Sequence, residues 1–320
     1  MKRLYALLLC LFVCLQTLPA SAEAYFAPGF TETQVPFQMV DNRILIQVSI
    51  NNAEPLTFVF DTGGSNILSP QAARALHLET EEGEHIQGAG EVLVTARETR
   101  VGKYKIGDLT MTNQNFMVLD LTAIQKAVGF ERLDGIVGSE VLNQAVTTID
   151  YQKHILTFTQ PDGFHPPSGV TPIPITIRSM PVISGALNGL EAQICLDTGD
   201  RFSLTLMKKF AEQTRLGELY AKSPVVVSGM GFGGAVPSRM APLDSLVMAP
   251  GIELRNVMSR VATTKGGFFA ESKLSASIGN EILRRFRVTL DYRAKQLYLV
   301  PTAAFSEPFK FVPFAHPPAL

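Results

Sequence analysis

The tripeptide Asp-Thr-Gly occurs twice in this chain, at Asp61–Gly63 and Asp197–Gly199, and the two aspartates are 136 positions apart. Each copy ends an apolar run, Leu56–Phe60 in the first case and Ala192–Leu196 in the second. A carboxylate at the end of a buried strand costs free energy unless it has partners, so its repetition predicts two carboxylates that meet in one site. Two carboxylates in one site do not both ionise readily. Such a pair can therefore activate a water molecule and protonate a leaving group.

A single Asp-Thr-Gly has a plain structural explanation, because aspartate forms the turn that follows many strands. The pair is different, because the sequence around it is also repeated. The segment Leu133–Leu142 matches Ser275–Leu283 at an offset of 141, and the same register reaches the Asp-Tyr pairs at Asp150 and Asp291. A repeat of this length indicates two copies of a domain rather than a solenoid. We expect Asp150 and Asp291 to form hairpin turns, and Asp134, which has no matching aspartate, to be structural.

Each copy has the same order of short elements. The sequence predicts strands before each Asp-Thr-Gly, a short helix after it at Pro70–Leu76 or Leu206–Thr214, and a closing hairpin at Val146–Phe158 or Val288–Val300. Alternating polarity, β-branched residues and frequent glycine and proline are typical of strands joined by tight turns. We therefore predict a mainly β fold of two lobes related by a pseudo-two-fold axis, with short helices.

The domain boundaries follow from length and local composition. The chain has 320 residues, which is enough for two lobes of about 150 residues each. Residues 1–22 combine a basic start, an apolar stretch and the small residues Ala20–Ala22, a pattern typical of a cleaved export signal; a membrane anchor is the alternative. We expect an N-terminal lobe at 23–160, a linker rich in proline and glycine at 161–174, and a C-terminal lobe at 175–320.

Composition excludes several classes of partner. Apolar residues make up 46% of the chain and the net charge is −1, so a large core is expected and a basic surface for nucleic acid is not. The five histidines show no metal-ligand spacing. Gly229, Gly231 and Gly234 spell Gly-x-Gly-x-x-Gly, but no helix opens after them as a dinucleotide site requires. We predict no metal and no cofactor.

The same features predict where the protein acts. No apolar span long enough to cross a membrane follows the export signal, and Cys195 is the one cysteine beyond it. We read Cys195 as a small buried hydrophobe rather than a nucleophile. We expect an exported monomer, periplasmic or secreted, without a membrane span after signal removal.

Paired Asp-Thr-Gly motifs, each followed later by an apolar strand that ends in glycine at Val137–Gly138 or Ile278–Gly279, resemble the aspartic peptidases. More specifically, the chain resembles bacterial retropepsin-like aspartyl proteases with two copies fused in one polypeptide. The resemblance covers nearly all of the chain after residue 22. It implies that Asp61 and Asp197 face each other and hold one water molecule, with one carboxyl ionised as general base and the other protonated as acid.

The resemblance also implies roles for the neighbouring residues. The hydroxyls of Thr62 and Thr198 are expected to cross-link the two loops and to stop the carboxylates from moving apart. Gly63 and Gly199 are expected to leave room for a tight turn in which backbone N–H groups reach the carboxylates.

The second copy departs from the family pattern directly after its motif, where Asp200 and Arg201 stand in place of small residues. A carboxylate here is expected to favour the protonated form of the pair unless Arg201 neutralises it. The alternative is an exposed Asp200–Arg201 ion pair that points away and contributes little.

Two glycine-rich stretches could cover a substrate. Gly88 and Gly90 in the first copy, and Gly229 and Gly231 in the second, lie between strand-like runs. We interpret them as candidate flaps that close over an extended peptide. An ordinary hairpin turn is the alternative for each, because glycine is the usual turn residue.

Together these features predict an aspartic endopeptidase that hydrolyses a peptide or protein substrate with a dyad-activated water. The alternative is a catalytically silent protein in which the same bilobed cleft binds a peptide or glycan. A structural or inhibitory surface protein is a further alternative without positive support. Both copies keep Asp, Thr and Gly, which a pure binding protein does not need.

Overall fold

A computed structural model describes residues 23–310 of the chain. The predicted export signal at 1–22 and the last residues, 311–320, lie outside the described residues. Strands dominate the described part and its helices are short, so the prediction of a mainly β fold is confirmed.

The strands, in chain order, are β1 (Glu23–Phe26), β2 (Glu32–Pro36), β3 (Gln38–Val40), β4 (Arg43–Ile50), β5 (Leu56–Phe60), β6 (Ile67–Leu68), β7 (Glu81–Ile86), β8 (Val94–Ile106), β9 (Leu109–Val118), β10 (Gly135–Val137), β11 (Val146–Asp150), β12 (Ile155–Thr159), β13 (Ile173–Pro174), β14 (Thr176–Ile177), β15 (Pro181–Leu187), β16 (Leu190–Leu196), β17 (Leu204–Leu206), β18 (Val225–Gly231), β19 (Gly234–Ala249), β20 (Ile252–Ala262), β21 (Ala276–Ile278), β22 (Phe286–Asp291) and β23 (Gln296–Pro301).

The α-helices are α1 (Pro70–Ala75), α2 (Thr122–Val128), α3 (Ser139–Leu142), α4 (Lys208–Gln213), α5 (Phe268–Glu271) and α6 (Asn280–Leu283). Helix α1 begins as its sequence dictates, because the Ser69 hydroxyl accepts a hydrogen bond from the Ala72 N–H and Pro70 occupies the first turn. The predicted helix at Leu206–Thr214 is shorter than expected, since Leu206 belongs to β17.

Two of the three sheets are copies of one another. The first has the strand order β9-β6-β10-β5-β4, and the second has β20-β17-β21-β16-β15 in the same relative directions. In both, a short strand threads between two others and pairs in parallel with the strand that leads into Asp-Thr-Gly. The sequence repeat is therefore also a repeat of topology.

The third sheet joins the two copies. Its order is β13-β23-β22-β11-β12-β2, so each half of the chain supplies three strands. At its centre Thr148 pairs with Thr289, its own counterpart in the repeat, and their hydroxyl oxygens lie 2.8 Å apart. A residue that pairs with its counterpart lies on a two-fold axis. The pseudo-two-fold axis of the molecule therefore passes between these two threonines.

The aspartates at the ends of β11 and β22 close hairpins, as predicted. Asp150 accepts a hydrogen bond from the Lys153 N–H, and Asp291 accepts the equivalent bond from the Ala294 N–H. Both are turn-forming side chains of the kind that aspartate often provides.

The core lies between the joining sheet and the two repeated sheets. Phe158 of β12 is fully buried, and its ring meets that of Phe60 edge-on with centroids 5.9 Å apart. Because Phe60 directly precedes Asp61, this contact ties the joining sheet to the strand that carries the first motif.

Phe158→Ala is expected to lower the free energy of unfolding by about 3–5 kcal/mol, because it removes a buried ring and leaves a cavity. Leu190→Ala is the control, since Leu190 is 39% exposed, and it should change stability by less than about 0.5 kcal/mol. Urea denaturation of both variants measures the difference. Equal stability of the two variants would contradict the described core.

Candidate active site

The two Asp-Thr-Gly loops are held by the strands that thread beside them. The Asp61 N–H donates to the Val137 carbonyl and the Asp197 N–H to the Ile278 carbonyl, each at 2.9 Å. Directly after the first of these strands, a Cβ atom on Gly138 would overlap the Asp61 carbonyl. Glycine is needed there because the two backbones are in contact.

Asp134 is structural, as predicted. Its carboxylate accepts the Thr57 N–H at 2.8 Å. In the second copy the Ser275 hydroxyl accepts the Gln193 N–H at 3.0 Å. Serine thus satisfies the backbone donor that aspartate satisfies in the first copy, and neither residue lines the cleft.

The structure brings the carboxyl groups of Asp61 and Asp197 together at one place, where each alters the pKa of the other. Asp61 Oδ1 accepts the Gly63 N–H at 2.8 Å, and Asp197 Oδ1 accepts the Gly199 N–H at 2.9 Å. Each glycine also faces the opposite carboxyl: a Cβ on Gly63 would lie 2.9 Å from Asp197 Oδ1, and a Cβ on Gly199 would overlap Asp61. No larger residue fits at either glycine while the carboxyls touch.

Beneath the carboxyls, Thr62 and Thr198 cross-link the two loops through four hydrogen bonds. The Thr62 N–H donates to the Thr198 hydroxyl at 2.9 Å, and the Thr198 N–H donates to the Thr62 hydroxyl at 3.0 Å. The hydroxyls in turn donate to the carbonyls of Leu196 and Phe60. Both threonines are almost fully buried, so every polar group of the cross-link is satisfied within the protein.

Another link fixes the second loop from behind. The Asn280 amide donates to the Thr198 carbonyl and its oxygen accepts the Tyr151 hydroxyl at 2.6 Å. Tyr151 comes from the first half of the chain and Asn280 from the second. The loop of Asp197 is therefore anchored to both halves.

Burial raises the pKa of both carboxyl groups. The pKa of Asp197 lies well above its ordinary value because burial, the charge of Asp61 and the charge of Asp200 all disfavour its ionised form. The pKa of Asp61 is also raised by burial, but hydrogen bonds from Gly63 and Asp197 and the charge of Arg43 oppose the rise. Since both pKa values exceed those of an unfolded chain, ionisation of the pair costs stability as the pH rises through them.

The expected exposed Asp200–Arg201 pair does not form, whereas the charge of Asp200 favours the protonated form of Asp197, as expected in the absence of neutralisation by Arg201. Asp200 is buried and forms an ion pair with Arg260, whose Nη2 lies 2.8 Å from Asp200 Oδ2. Arg201 is also buried, but it pairs with Asp41. The adjacent residues in the sequence are therefore not partners, and Asp200 is not at an exposed surface.

The carboxyls lie in the wall of a cavity of about 370 Å³ between the two lobes. Apolar side chains from both copies form much of the remaining wall, including Met117, Ile124, Ile136, Met180, Val236 and Phe268. The cavity is thus a largely apolar cleft with charged groups gathered at one place.

Two hairpins cover this cleft and meet above it. One joins β7 to β8 and the other joins β18 to β19. The Gly90 N–H donates to the Phe232 carbonyl at 2.8 Å and the Val92 N–H to the Gly233 carbonyl at 3.1 Å. These hydrogen bonds join the first copy to the second across the cleft.

Three of the four candidate flap glycines lie at this contact. A Cβ on Gly88 or Gly90 would overlap the backbone of the second hairpin, and one on Gly231 would lie 2.8 Å from the Ala89 Cβ. Gly229 does not lie at the contact, since a Cβ there would lie 3.1 Å from Arg260 Nη1. The three glycines at the contact are needed because the two hairpins approach each other closely. Gly229 instead leaves room for the Arg260 guanidinium.

The two hairpins reach into opposite halves of the cleft. Met230 and Phe232 of the second hairpin pack against a buried cluster of the first copy that contains Ile67 and Ile136. Ala89 of the first hairpin packs against a cluster of the second copy that contains Phe269. Each hairpin therefore packs against the opposite copy, but the second hairpin contributes larger side chains than the first.

Sequence reasoning missed Arg43 and Arg260, which both line the cleft. The sequence gives a partial signal, because Arg43 begins the mostly apolar strand β4, whereas β20 also carries Glu253 and Arg255 and does not mark Arg260 as buried. A charge at such a position requires a buried partner. What the sequence does not show is the identity of that partner, which lies 60 residues away for Arg260.

Two further features concern a possible metal site and a possible membrane-spanning helix. Within residues 23–310, no group of three or more His, Cys, Asp or Glu side chains is arranged to hold a metal ion. None of the helices in this range is both long and apolar enough to cross a membrane.

Comparison with known proteins points to one family. Residues 46–141 match the family model for aspartyl proteases. The matched segment contains Asp61–Gly63 and Gly138, whereas the second motif lies beyond it. Among solved structures, the chain is similar to a retropepsin-like aspartic protease from Rickettsia conorii, with 20% identity, a TM-score of 0.31, and coverage of 44% of this chain and 94% of that one. None of the curated proteins matches the sequence significantly.

Thr198→Val is expected to lower the free energy of unfolding by about 2–5 kcal/mol, because it leaves the Thr62 N–H and the Phe60 carbonyl buried without partners. Thr198→Ser keeps the hydroxyl and should cost about 1 kcal/mol or less for the lost methyl group. Chemical denaturation of the two variants checks the difference. A valine variant as stable as the serine variant would show that the cross-link contributes nothing.

Gly90→Ala is expected to separate the hairpin tips, because the added Cβ overlaps the backbone of Gly233 and Gly234. Hydrogen exchange at the Val92 amide, which donates across the contact, should accelerate by about tenfold or more. Gly102→Ala is the matched control, since its Cβ would lie at an ordinary distance of 3.5 Å from Asn51 Oδ1. Unchanged exchange at Val92 in the Gly90 variant would mean that the tips do not hold each other.

Proposed function

We propose that this protein is an aspartic endopeptidase made of two fused lobes. The observation that carries the proposal is the contact between the buried carboxyls of Asp61 and Asp197, one from each copy, in the wall of a covered cleft. The aspartyl protease match over the first copy supports the same reaction class. The raised pKa of Asp197 helps to keep one carboxyl protonated while its partner is ionised, which is the state that acid–base chemistry by a carboxyl pair uses.

The proposed reaction uses the pair as one acid and one base. The ionised carboxylate takes a proton from a water molecule, whose oxygen attacks the carbonyl carbon of the peptide bond. The protonated carboxyl donates its proton to the carbonyl oxygen, which gives a tetrahedral gem-diol. The first group then protonates the amide nitrogen, the C–N bond breaks, and one hydroxyl returns its proton to the second group. One water is consumed and both carboxyls regain their starting states.

The surroundings fit an extended peptide. A peptide in the cleft would pass beneath the two hairpins, whose backbone groups can pair with it as an added strand. The hydrogen bonds at Gly90 and Val92 must open to admit it, so the hairpins act as the proposed flaps. The apolar walls favour peptides with apolar side chains beside the scissile bond.

One chain supplies both carboxyls and both hairpins, so the proposed site is complete in a monomer. Together with the signal-like residues 1–22, this supports an exported monomeric enzyme that acts on peptides or proteins in the periplasm or outside the cell.

Asp61→Asn and Asp197→Asn are each expected to lower kcat by about 10²–10⁴-fold, because either change removes one of the two groups, acid and base, that the reaction needs. The measurement is cleavage of a panel of unfolded proteins between about pH 3 and 8, with a statine-type mimic of the tetrahedral state as inhibitor. The wild-type protein should cleave and the mimic should block it.

Asp291→Asn is the matched control, because it makes the same change at a buried aspartate that only closes a hairpin. It should keep wild-type activity. If the wild-type protein binds the peptides but cleaves none, the cleft is that of a silent binding protein. A folded Asp197→Asn variant that cleaves at the wild-type rate would refute the dyad mechanism.

A further inference from the structure

The dyad lies on a pseudo-two-fold axis, but the charges around it do not follow that symmetry. Three positions in the two copies can be matched by their distance from the motif and by strand register. At these positions Gly64 corresponds to Asp200, Met117 to Arg260, and Arg43 to Met180. Each pair sets a charged residue against an uncharged one. The carboxyls of Asp61 and Asp197 therefore sit in unequal surroundings.

Asp200 brings a negative charge next to Asp197 alone. Its N–H donates to Asp197 Oδ1 at 3.2 Å, so the two residues are in direct contact. Both oxygens of its carboxylate accept a hydrogen bond from Arg260 Nη2, at 3.0 and 2.8 Å. The carboxylate also accepts hydrogen bonds from the Phe202 N–H and the Thr205 hydroxyl. A carboxylate with a two-point guanidinium contact and two further donors is fully satisfied as an anion.

Arg260 cannot turn away to neutralise the dyad. Its Nε donates to the Thr205 hydroxyl at 2.8 Å and its Nη1 to the Ser228 carbonyl at 2.7 Å. Its guanidinium also lies over the rings of Phe202 and Phe269, 4.7 and 5.4 Å from their centres. The cation is thus fixed on Asp200 from several sides.

Arg43 provides the opposite charge on the other side. Its Nε donates to the Gly199 carbonyl at 2.9 Å, which sets it against the dyad loop. It is fully enclosed and also pairs with Asp41, which in turn pairs with Arg201. The charged groups around the dyad are therefore Arg43 with Asp41 and Arg201, and Asp200 with Arg260.

The remaining titratable neighbour is Cys195, two residues before Asp197. Its thiol is buried and donates to the Ala276 carbonyl at 3.5 Å. Burial raises the pKa of this thiol to about 12, so it stays neutral and adds no charge to the site.

We propose that Asp200, held in place by Arg260, together with Arg43, assigns the two chemical roles in the dyad: Asp197 keeps the proton and is the acid, and Asp61 is the ionised base. This assignment rests on the proposed hydrolytic function of the pair. Asp200, Arg260 and Arg43 are positioning residues, because they act through the two carboxyls.

The electrostatics agree with the geometry. The charge of Asp200 is among the causes that raise the pKa of Asp197, and the charge of Arg43 is among those that lower the pKa of Asp61. An anion beside a carboxyl favours its protonated form and a cation favours its ionised form. Both influences push the shared proton towards Asp197.

The test is a direct titration of the carboxyls by NMR of the full protein labelled with ¹³C at aspartate Cγ. The signals of Asp61 and Asp197 are assigned with their Asn variants. The pair is expected to titrate in two steps, with the higher step on Asp197. This readout needs no substrate, so it is independent of whether the protein cleaves peptides.

Single variants should move the two steps separately. Asp200→Asn removes the anion and leaves the Arg260 cation, so the higher step should fall by about one pH unit or more. Arg43→Met installs the residue of the second copy and should raise the lower step by about one unit. Glu281→Gln breaks the buried ion pair with Arg285, which does not line the cleft, and should move neither step.

A double variant keeps the proposal testable if Asp200→Asn does not fold. Asp200→Gly with Arg260→Met copies the uncharged pair of the first copy, Gly64 and Met117, which also line the cleft. Its higher step should also fall, but by less than in Asp200→Asn, because the unpaired cation is gone.

The outcomes separate this inference from the proposed function. A higher step assigned to Asp61, or one that neither Asp200 variant moves, overturns the assignment even if the enzyme is active. Titration as expected in a protein that cleaves no peptide supports the assignment and refutes the peptidase function. In an active enzyme, the basic limb of kcat/KM should fall with the higher step in the Asp200 variants.

Discussion

Two carboxyl groups that are removed from water and pressed against each other form the constraint on which the rest of this structure depends. Each is costly to bury alone, and together they repel when both are ionised. The fold offsets this cost by directing backbone N–H groups at Asp61 and Asp197 and by excluding every side chain from Gly63 and Gly199. A proton shared by the two groups would turn this repulsion into a hydrogen bond.

Holding the carboxyls together requires that the two halves of the chain cannot slide past one another. The threonine cross-link prevents this locally, and the six-stranded sheet prevents it over a longer range, because Thr148 pairs with Thr289 at its centre. The threonine cross-link and the centre of the six-stranded sheet lie on the same pseudo-two-fold axis as Asp61 and Asp197. Each half contributes equally to them, so neither half contains a complete site.

The repeat made much of this arrangement predictable from the sequence. Two matched strand-turn motifs can meet only if their copies pack around a common axis, so the repeat itself predicts Asp61 and Asp197 in one site. Prediction from the sequence failed at Asp200, where adjacency suggested Arg201 as partner, whereas the guanidinium that binds it comes from β20. It also grouped Gly229 with the flap tips, although that glycine makes room for the same guanidinium. Long-range partners of buried charges leave no local pattern in a sequence.

Fusion of two copies in one chain permits what two identical subunits cannot achieve. A homodimer with the same axis would place the same charge beside both carboxyls, and its dyad would hold its proton without preference. Here Asp200 contacts Asp197, and Arg43 contacts Gly199, which lies beside Asp61. One hairpin carries Met230 and Phe232 where the other carries Ala89. An extended peptide has a direction, so under the proposed function a cleft with unequal halves would bind it in one orientation, with different roles for Asp61 and Asp197. The departures from symmetry are therefore where this chain differs most from a simple duplication, and they lie at the positions closest to the chemistry.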